Sequence, residues 1–158
     1  MGSNSALDSY LSDHLVGAAA GCEIAHRIVS TYDDPATVAE LQALADDIEF
    51  DRATLVEIRD RLGFTRRPIR QAFGWIGEKI TRLRVSDPVT GDADLTRLLE
   101  LETLGIGIAG KIALWHALAA TVPPEQLGGL DMEALARRGQ RQRAIVERRR
   151  LEAAHAAL

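Results

Sequence analysis

Residues 46–63 read DDIEFDRATLVEIRDRLG, and the spacing of their apolar residues predicts the helix around which the fold is organised. Asp34 and Pro35 upstream supply an N-cap and a proline at the first helical position, and Gly63 is a natural left-handed C-cap. The helix should bury one apolar stripe, made of Leu41, Ala45, Ile48 and Leu55. We therefore expect a long amphipathic helix from Asp34-Pro35 to Gly63.

The same period of about 3.6 residues predicts further helices on both sides of this one. One runs from about Ser5 to Ser30, with Asp8 completing a capping-box spacing. A shorter one runs from Pro68 to Arg84, and two long ones follow, from about Asp94 to Thr121 and from Asp131 to the C-terminus. The chain should thus be one all-α domain, residues 1–158.

Connection lengths predict how these helices are arranged. The first two helices are joined by a few residues and should form an antiparallel hairpin, as should the last two, whereas roughly thirty residues, 64–93, separate the hairpins. In this connectivity, and in the Glu49-x-x-Arg52 position on the second helix, the chain resembles the ferritin-like superfamily. The resemblance implies an up-down four-helix bundle, here with an additional short helix in the long crossover.

Composition narrows the class of protein. With 158 residues, 46% of them hydrophobic and 27% charged, the chain can bury a core without disulfides. The single cysteine, Cys22, excludes an internal disulfide and a Cys-based zinc site. The first residues contain no basic start followed by an apolar run, and no uninterrupted apolar segment matches a bilayer, so we expect a cytoplasmic protein without membrane contact.

The resemblance also implies a place for two metal ions. Di-iron members hold them with one Glu on each of two helices and a Glu-x-x-His on each of the others. The two literal matches here are poorly placed: Glu23 in EIAH projects about 150° from the core stripe of its helix, and the His155 of EAAH points away from the core at the end of the chain. At the better placed position, Arg52 has no lone pair for a metal.

We therefore predict a polar cluster inside the bundle where the superfamily holds metal. Helical wheels direct seven residues towards it: His14, Glu49, Arg52, Glu100, Glu102, Gln142 and Arg149. Ion pairs would make this cluster a structural feature. The alternatives are an iron or manganese site using His14, Glu49, Glu100 and Glu102, and a pocket for a small ligand.

Two other motifs receive structural interpretations. GIGIAG, residues 105–110, matches the dinucleotide fingerprint but lies within a predicted helix, so its glycines are expected to allow close helix packing. The arginine-rich segment 137–150 spreads its charge around the whole helix, and the formal net charge is -4, so nucleic acid is not an expected partner. Cys22 should be an inert buried thiol.

The fourth predicted helix is apolar on more than one side, through Leu95, Leu99, Ile106, Ala113 and Leu118. Either the crossover helix covers it, with Ile69, Phe73, Ile76 and Ile80, or a second subunit does. We expect the crossover helix to be the cover within the fold, and we also expect a homodimer or other homo-oligomer. The leading functional hypothesis is a non-catalytic bundle that acts through oligomerisation or partner binding. The competing one is a di-metal oxidoreductase or metal-storage protein.

Overall fold

Four helices make up the part of the chain that the computed structural model describes, residues 2–64 and 92–158. They are α1 (Gly2–Val29), α2 (Pro35–Arg61), α3 (Ala93–Thr121) and α4 (Met132–Ala157), and these ranges contain no strand. The predicted all-α four-helix architecture is confirmed. The predicted helix from Pro68 to Arg84, and its packing on α3, fall outside the described residues.

Aspartate side chains fix where three of the helices begin. Asp34 accepts a hydrogen bond from the Thr37 backbone N–H at 2.8 Å, with Pro35 at the first helical position as predicted. Asp92 and Asp131 cap α3 and α4 in the same way. Each carboxylate pairs with backbone N–H groups that a helix start leaves without a partner. Helix α1 begins at Gly2 rather than at the predicted cap Ser5, which lies inside its first turns.

Contacts between the helices give their relative directions. Arg59 near the end of α2 binds Asp8 near the start of α1 at 2.9 Å, so these two helices are antiparallel. Arg27 near the end of α1 binds Glu100 near the start of α3 at 2.9 Å, so α1 and α3 are antiparallel too. Consequently α2 and α3 run in the same direction, and the end of α2 and the start of α3 lie at opposite ends of the bundle.

Helices α3 and α4 approach each other more closely than the other described pairs. In their contact, a glycine on one helix faces a side chain on the other. A Cβ on Gly139 would lie 2.7 Å from Ile112 Cγ1, and one on Gly105 would lie 3.6 Å from Val146 Cγ1. The contact at Gly139 is too close for a Cβ, whereas the contact at Gly105 is an ordinary van der Waals distance, so the close packing predicted for GIGIAG is not required at Gly105. At Gly107 and Gly110 an added Cβ would meet nothing within 4 Å among the described residues.

The apolar core is divided into two clusters along the bundle axis. One cluster lies at the end of the bundle that holds the α1–α2 connection and the start of α3. It contains Ile28, Leu41, Ile48, Leu101 and Ile108 among others. The cluster at the opposite end includes Leu11, Leu55, Ile58, Trp115 and Leu118. Among the described helices, α3 is long and apolar enough to cross a membrane by length and composition, a test that core helices also pass.

Candidate functional site

A charged layer separates the two core clusters at the middle of the bundle. Its centre is Asp51 on α2, whose residue surface is only 1% exposed. Asp51 lies between Ile48 of one cluster and Leu55 of the other, and Lys111 on α3 lies between Ile108 and Trp115 in the same way. We call the layer formed by Asp51, Lys111, Arg138 and Gln142 the charged layer.

Both carboxylate oxygens of Asp51 accept hydrogen bonds from neighbouring side chains. Arg138 on α4 donates to Oδ1 through Nε at 2.9 Å and through a second nitrogen. On Oδ2, the Lys111 ammonium donates at 2.5 Å and the Gln142 amide at 3.0 Å. Lys111 also donates to the Gln142 carbonyl oxygen at 2.5 Å. Helices α2, α3 and α4 are therefore tied together through one carboxylate.

Charge in the layer does not balance, because two cations meet one carboxylate. The side chains of Lys111 and Arg138 are 14% and 19% exposed, so neither cation is fully hydrated. Burial lowers the pKa of Lys111, and the neighbouring Asp51 carboxylate opposes this shift. The result is a partly buried site with an excess of positive charge, which repels a further cation.

An aromatic ring covers the outer edge of the layer. The Arg138 guanidinium carbon lies 4.6 Å from the centroid of the Phe50 ring, a cation–π contact. Phe50 itself is 58% exposed, so its ring shields the guanidinium on one side while facing solvent on the other. The contact holds Arg138 in the orientation that binds Asp51 from α4.

Chemically, this arrangement fixes helices rather than prepares a reaction. A general base needs an oxygen free to accept a proton, and both Asp51 oxygens are already held by charged or amide donors. A buried acid on α2 with good partners on α3 and α4 does specify one relative rotation of those three helices. The geometry is that of a structural ion-pair network.

Of the seven residues predicted to form one polar cluster, Gln142 lies in the charged layer. Glu100 is also buried, but it receives a hydrogen bond from Arg27 of α1 at 2.9 Å, a separate pair closer to the start of α3. Arg149 is partly buried and binds Glu40 of α2 at 2.7 Å, towards the end of α4. These residues are inward, as expected, yet each has a different partner.

The remaining four lie outside this interior. Glu49 and Arg52 are exposed, and Glu49 lies 3.7 Å from His26 on the surface. Glu102 is exposed and lies 3.6 Å from Arg150 of α4. His14 is half-buried against the Tyr10 ring, at 4.6 Å between centroids, and burial lowers its pKa. The seven residues are thus distributed over several pairs instead of meeting in one cluster.

The difference at Arg52 has a simple geometric origin. The buried face of α2 includes Leu44, Asp51 and Ile58, so its centre is rotated by roughly 40° from the stripe predicted through Arg52, at 100° per residue. This rotation turns Asp51 inward and Arg52 outward. Sequence analysis missed Asp51, although it stands between Ile48 and Leu55 at helical spacing.

Residues proposed for an iron or manganese site are not brought together either. His14, Glu49, Glu100 and Glu102 have the separate neighbours described above. Across residues 2–64 and 92–158, no group of three or more His, Cys, Asp or Glu side chains could hold a metal ion. Cys22 is buried, as expected, and burial raises the pKa of its thiol.

Comparison of the chain with known protein families, with characterised proteins and with solved structures found no match.

Proposed function

We propose that this protein is a non-catalytic helical bundle of the ferritin-like kind that acts through oligomerisation or partner binding. In this proposal the charged layer takes the place in which metal-binding bundles hold their ions. The observation that carries it is Asp51, a carboxylate at the centre of the bundle that is 1% exposed and fully occupied by protein donors.

Helix directions support the ferritin-like part of the proposal. Helices α2 and α3 are parallel, and α2 is antiparallel to α1. Helix α4 is antiparallel to α3, because Gly105 faces Val146 and Gly139 faces Ile112. These directions match two hairpins joined by a long crossover. Metal-binding bundles of this kind aim carboxylates and imidazoles at one point on their axis. In this proposal the charged layer corresponds to that point; it holds two cations, an amide and one carboxylate, and cations are not metal ligands.

A role in association is supported by the surface. Leu99 and Ile106 on α3 are 42% and 63% exposed, although burying such side chains is favourable by about 1.5–3 kcal/mol each. A helix that keeps apolar residues on its outer side offers a surface for another protein. The charged layer would then keep the bundle rigid behind that surface.

Metal content tests the non-catalytic part of the proposal. Untagged protein is analysed by inductively coupled plasma mass spectrometry, before and after anaerobic incubation with ferrous iron or manganese. We expect far less than one equivalent per chain, unchanged in Asp51→Asn. About two equivalents, the stoichiometry of a di-metal bundle, would overturn the proposal if Asp51→Asn removed them.

A matched control is available on the same helix. Asp47 is exposed, four residues before Asp51, and Asp47→Asn removes the same charge at the surface. Loss of metal in both variants would indicate nonspecific binding to acidic residues, whereas loss confined to Asp51→Asn would identify the bundle centre as a metal site. Metal content measured in the same way for Glu49→Gln, with Asp47→Asn again as the control, tests the ligand set that sequence analysis suggested.

A further inference from the structure

The indole N–H of Trp115 is a buried hydrogen-bond donor in the core of the bundle. Trp115 is 0% exposed, and its Nε1 has no hydrogen-bond partner among residues 2–64 and 92–158. A buried N–H that stays unpaired costs free energy, so folded proteins pair nearly all such groups with protein atoms, water or a bound ion. This donor therefore points to a ligand that the described side chains do not supply.

Trp115 adjoins the charged layer. It lies one turn after Lys111 on α3, and Leu55, in the same core cluster, lies one turn after Asp51 on α2. Side chains four residues apart on a helix are neighbours, with about 5–6 Å between their Cβ atoms. Long side chains also lean over the turn that precedes their own Cα. The indole is therefore next to the Asp51–Lys111 pair.

Hydrogen-bond donors outnumber acceptors in the charged layer. Asp51 has about four acceptor sites, and Arg138, Lys111 and Gln142 fill them. The Lys111 ammonium has three N–H groups, of which two go to Asp51 and Gln142. Within the described part of the chain, the third N–H has no acceptor, and the Trp115 indole adds one more donor. The place between these two donors suits an acceptor from outside the chain.

The layer also carries an uncompensated positive charge. Lys111 and Arg138 bring two cations to the single Asp51 carboxylate. The Cys22 thiol also acts on the Lys111 charge, but burial raises the pKa of this thiol, so it stays neutral at neutral pH. A water molecule would satisfy the spare N–H groups and leave the charge uncompensated, whereas an anion satisfies the donors and balances the charge.

We infer that the charged layer binds a small monovalent anion of the halide class, chloride or bromide, between the Lys111 ammonium and the Trp115 indole N–H. Both groups donate a hydrogen bond to it. A halide needs little more space than a water molecule, and the Lys111 and Arg138 side chains, 14% and 19% exposed, open the layer to solvent. The inference adds a ligand to the ion-pair network and does not depend on association.

Nuclear magnetic resonance tests the site directly, because the Trp115 indole N–H gives a signal of its own. The chain contains two tryptophans, and Trp75→Phe identifies which indole signal belongs to Trp115. Sodium chloride is titrated into isotope-labelled protein at constant ionic strength, with sodium gluconate as the balancing salt because its anion is too large for the site. We expect a saturable shift of the Trp115 signal with chloride or bromide, and none with gluconate.

A variant of Lys111 tests the cationic side of the site. Lys111→Met removes the excess charge and one donor, and it leaves Asp51 paired with Arg138. The affinity for chloride should fall by about tenfold or more. Arg141→Met is the matched control, since it removes the same charge from an exposed arginine on α4 and should change the affinity by about twofold at most. An equal loss of affinity in both variants would indicate unspecific attraction and overturn the inference.

Thermal unfolding gives a second measurement that keeps Lys111 in place. A ligand that binds only the folded chain raises the melting temperature. Replacing gluconate with chloride should raise it equally in the wild type and in Arg141→Met. The rise should be largely lost in Trp115→Phe, which keeps an aromatic ring and removes the N–H. A rise in Trp115→Phe as large as that of the wild type would overturn the inference.

Water is the alternative partner of the indole. A Trp115 signal that ignores chloride and shows a nuclear Overhauser contact with a long-lived water molecule would assign the N–H to water and overturn the inference. A shift of the same size with chloride and gluconate would reflect salt screening and overturn it as well. Neither result bears on metal content, so the proposed function is judged separately.

Discussion

Helix α4 meets its two neighbours in opposite ways. Towards α3 it presents Gly139, which allows the two backbones to approach until Ile112 fills the space a Cβ would need. Towards α2 it presents long charged side chains, Arg138 to Asp51 and Arg149 to Glu40, which reach across a wider separation. The contact of α4 with α3 thus includes a close approach at glycine, whereas long ion-paired side chains connect α4 to α2.

This contrast indicates what each contact contributes. Close apolar packing supplies most of the free energy of folding, since it removes surface from water at about 25 cal/mol per Å². Buried ion pairs contribute little net stability compared with apolar residues of the same volume, but removing one partner leaves the other buried and unpaired. Between α2 and α4, we therefore expect the free energy of unfolding to fall when one partner of an ion pair is replaced. It should change less when both partners are replaced by apolar residues.

The largest effect is expected for Asp51→Asn. The substitution keeps the volume but leaves the Lys111 and Arg138 cations facing a neutral amide, so the free energy of unfolding should fall by about 3 kcal/mol. Urea denaturation followed by circular dichroism measures this loss. Asp47→Asn, an exposed change on the same helix, should alter it by less than about 0.5 kcal/mol. Equal small effects for both would mean that the charged layer does not tie the helices.

A triple variant sharpens the same test. Asp51→Leu with Lys111→Met and Gln142→Leu removes the carboxylate, one cation and the 1% exposed amide that binds both of them, and Arg138 can extend to solvent from its 19% exposed position. More than half of the single-variant loss should be recovered, because apolar replacements of a buried pair are often neutral. A triple variant as unstable as Asp51→Asn would show that the layer contributes net stability.

Gly139→Ala tests the close approach of α4 to α3. The new Cβ would lie 2.7 Å from Ile112 Cγ1, so the Ile112 side chain or the two helices must shift, and we expect a cost of about 1–3 kcal/mol. Gly107→Ala is the control, since nothing lies within 4 Å there and alanine favours a helix by up to about 1 kcal/mol. Thermal unfolding should therefore shift in opposite directions for the two variants. A neutral Gly139→Ala would mean that Ile112 adapts and that the close approach is not required.

A smaller, pH-dependent effect is expected at the far end of the α2–α4 contact. Hydrogen bonds from Arg148 and Arg149 lower the pKa of Glu40 from its usual value of 4.5. The pair therefore stabilises the fold above the unfolded pKa, and this contribution is lost as pH falls through the folded pKa, because the unfolded chain takes up the proton first.

Glu40→Gln should cost about 0.5–1 kcal/mol at neutral pH, a modest value because Glu40 is 31% exposed. Urea denaturation of the wild type and the variant should converge below the folded pKa. The salt bridge between Glu57 and Arg61, exposed on one turn of α2, offers a control whose loss should matter less. A constant difference between wild type and Glu40→Gln at all pH values would contradict an ion-pair contribution.

Sequence predicted the four described helices, apart from the start of α1, because most of their ends are decided locally. Asp34, Asp92 and Asp131 cap helices whether or not the bundle forms, and apolar periodicity gives the rest. The charged layer depends instead on the rotation of each helix against three others, which no single helix specifies. Asp51 and Lys111 do occupy positions at which an apolar residue is expected, with opposite charges on two helices. Two opposite charges at core positions are the sequence signal from which an Asp51–Lys111 ion pair could have been predicted.

The smallest expected effect is at Arg52, the residue around which sequence analysis built its cluster. Arg52 is exposed, so Arg52→Leu should change the free energy of unfolding by less than about 0.5 kcal/mol in urea denaturation. Asp51→Asn, one residue earlier, should be several times more costly because the adjacent position faces the opposite environment. A large loss at Arg52 would place that guanidinium, rather than Asp51, inside the bundle, and α2 would then be rotated back towards the orientation that periodicity alone predicts.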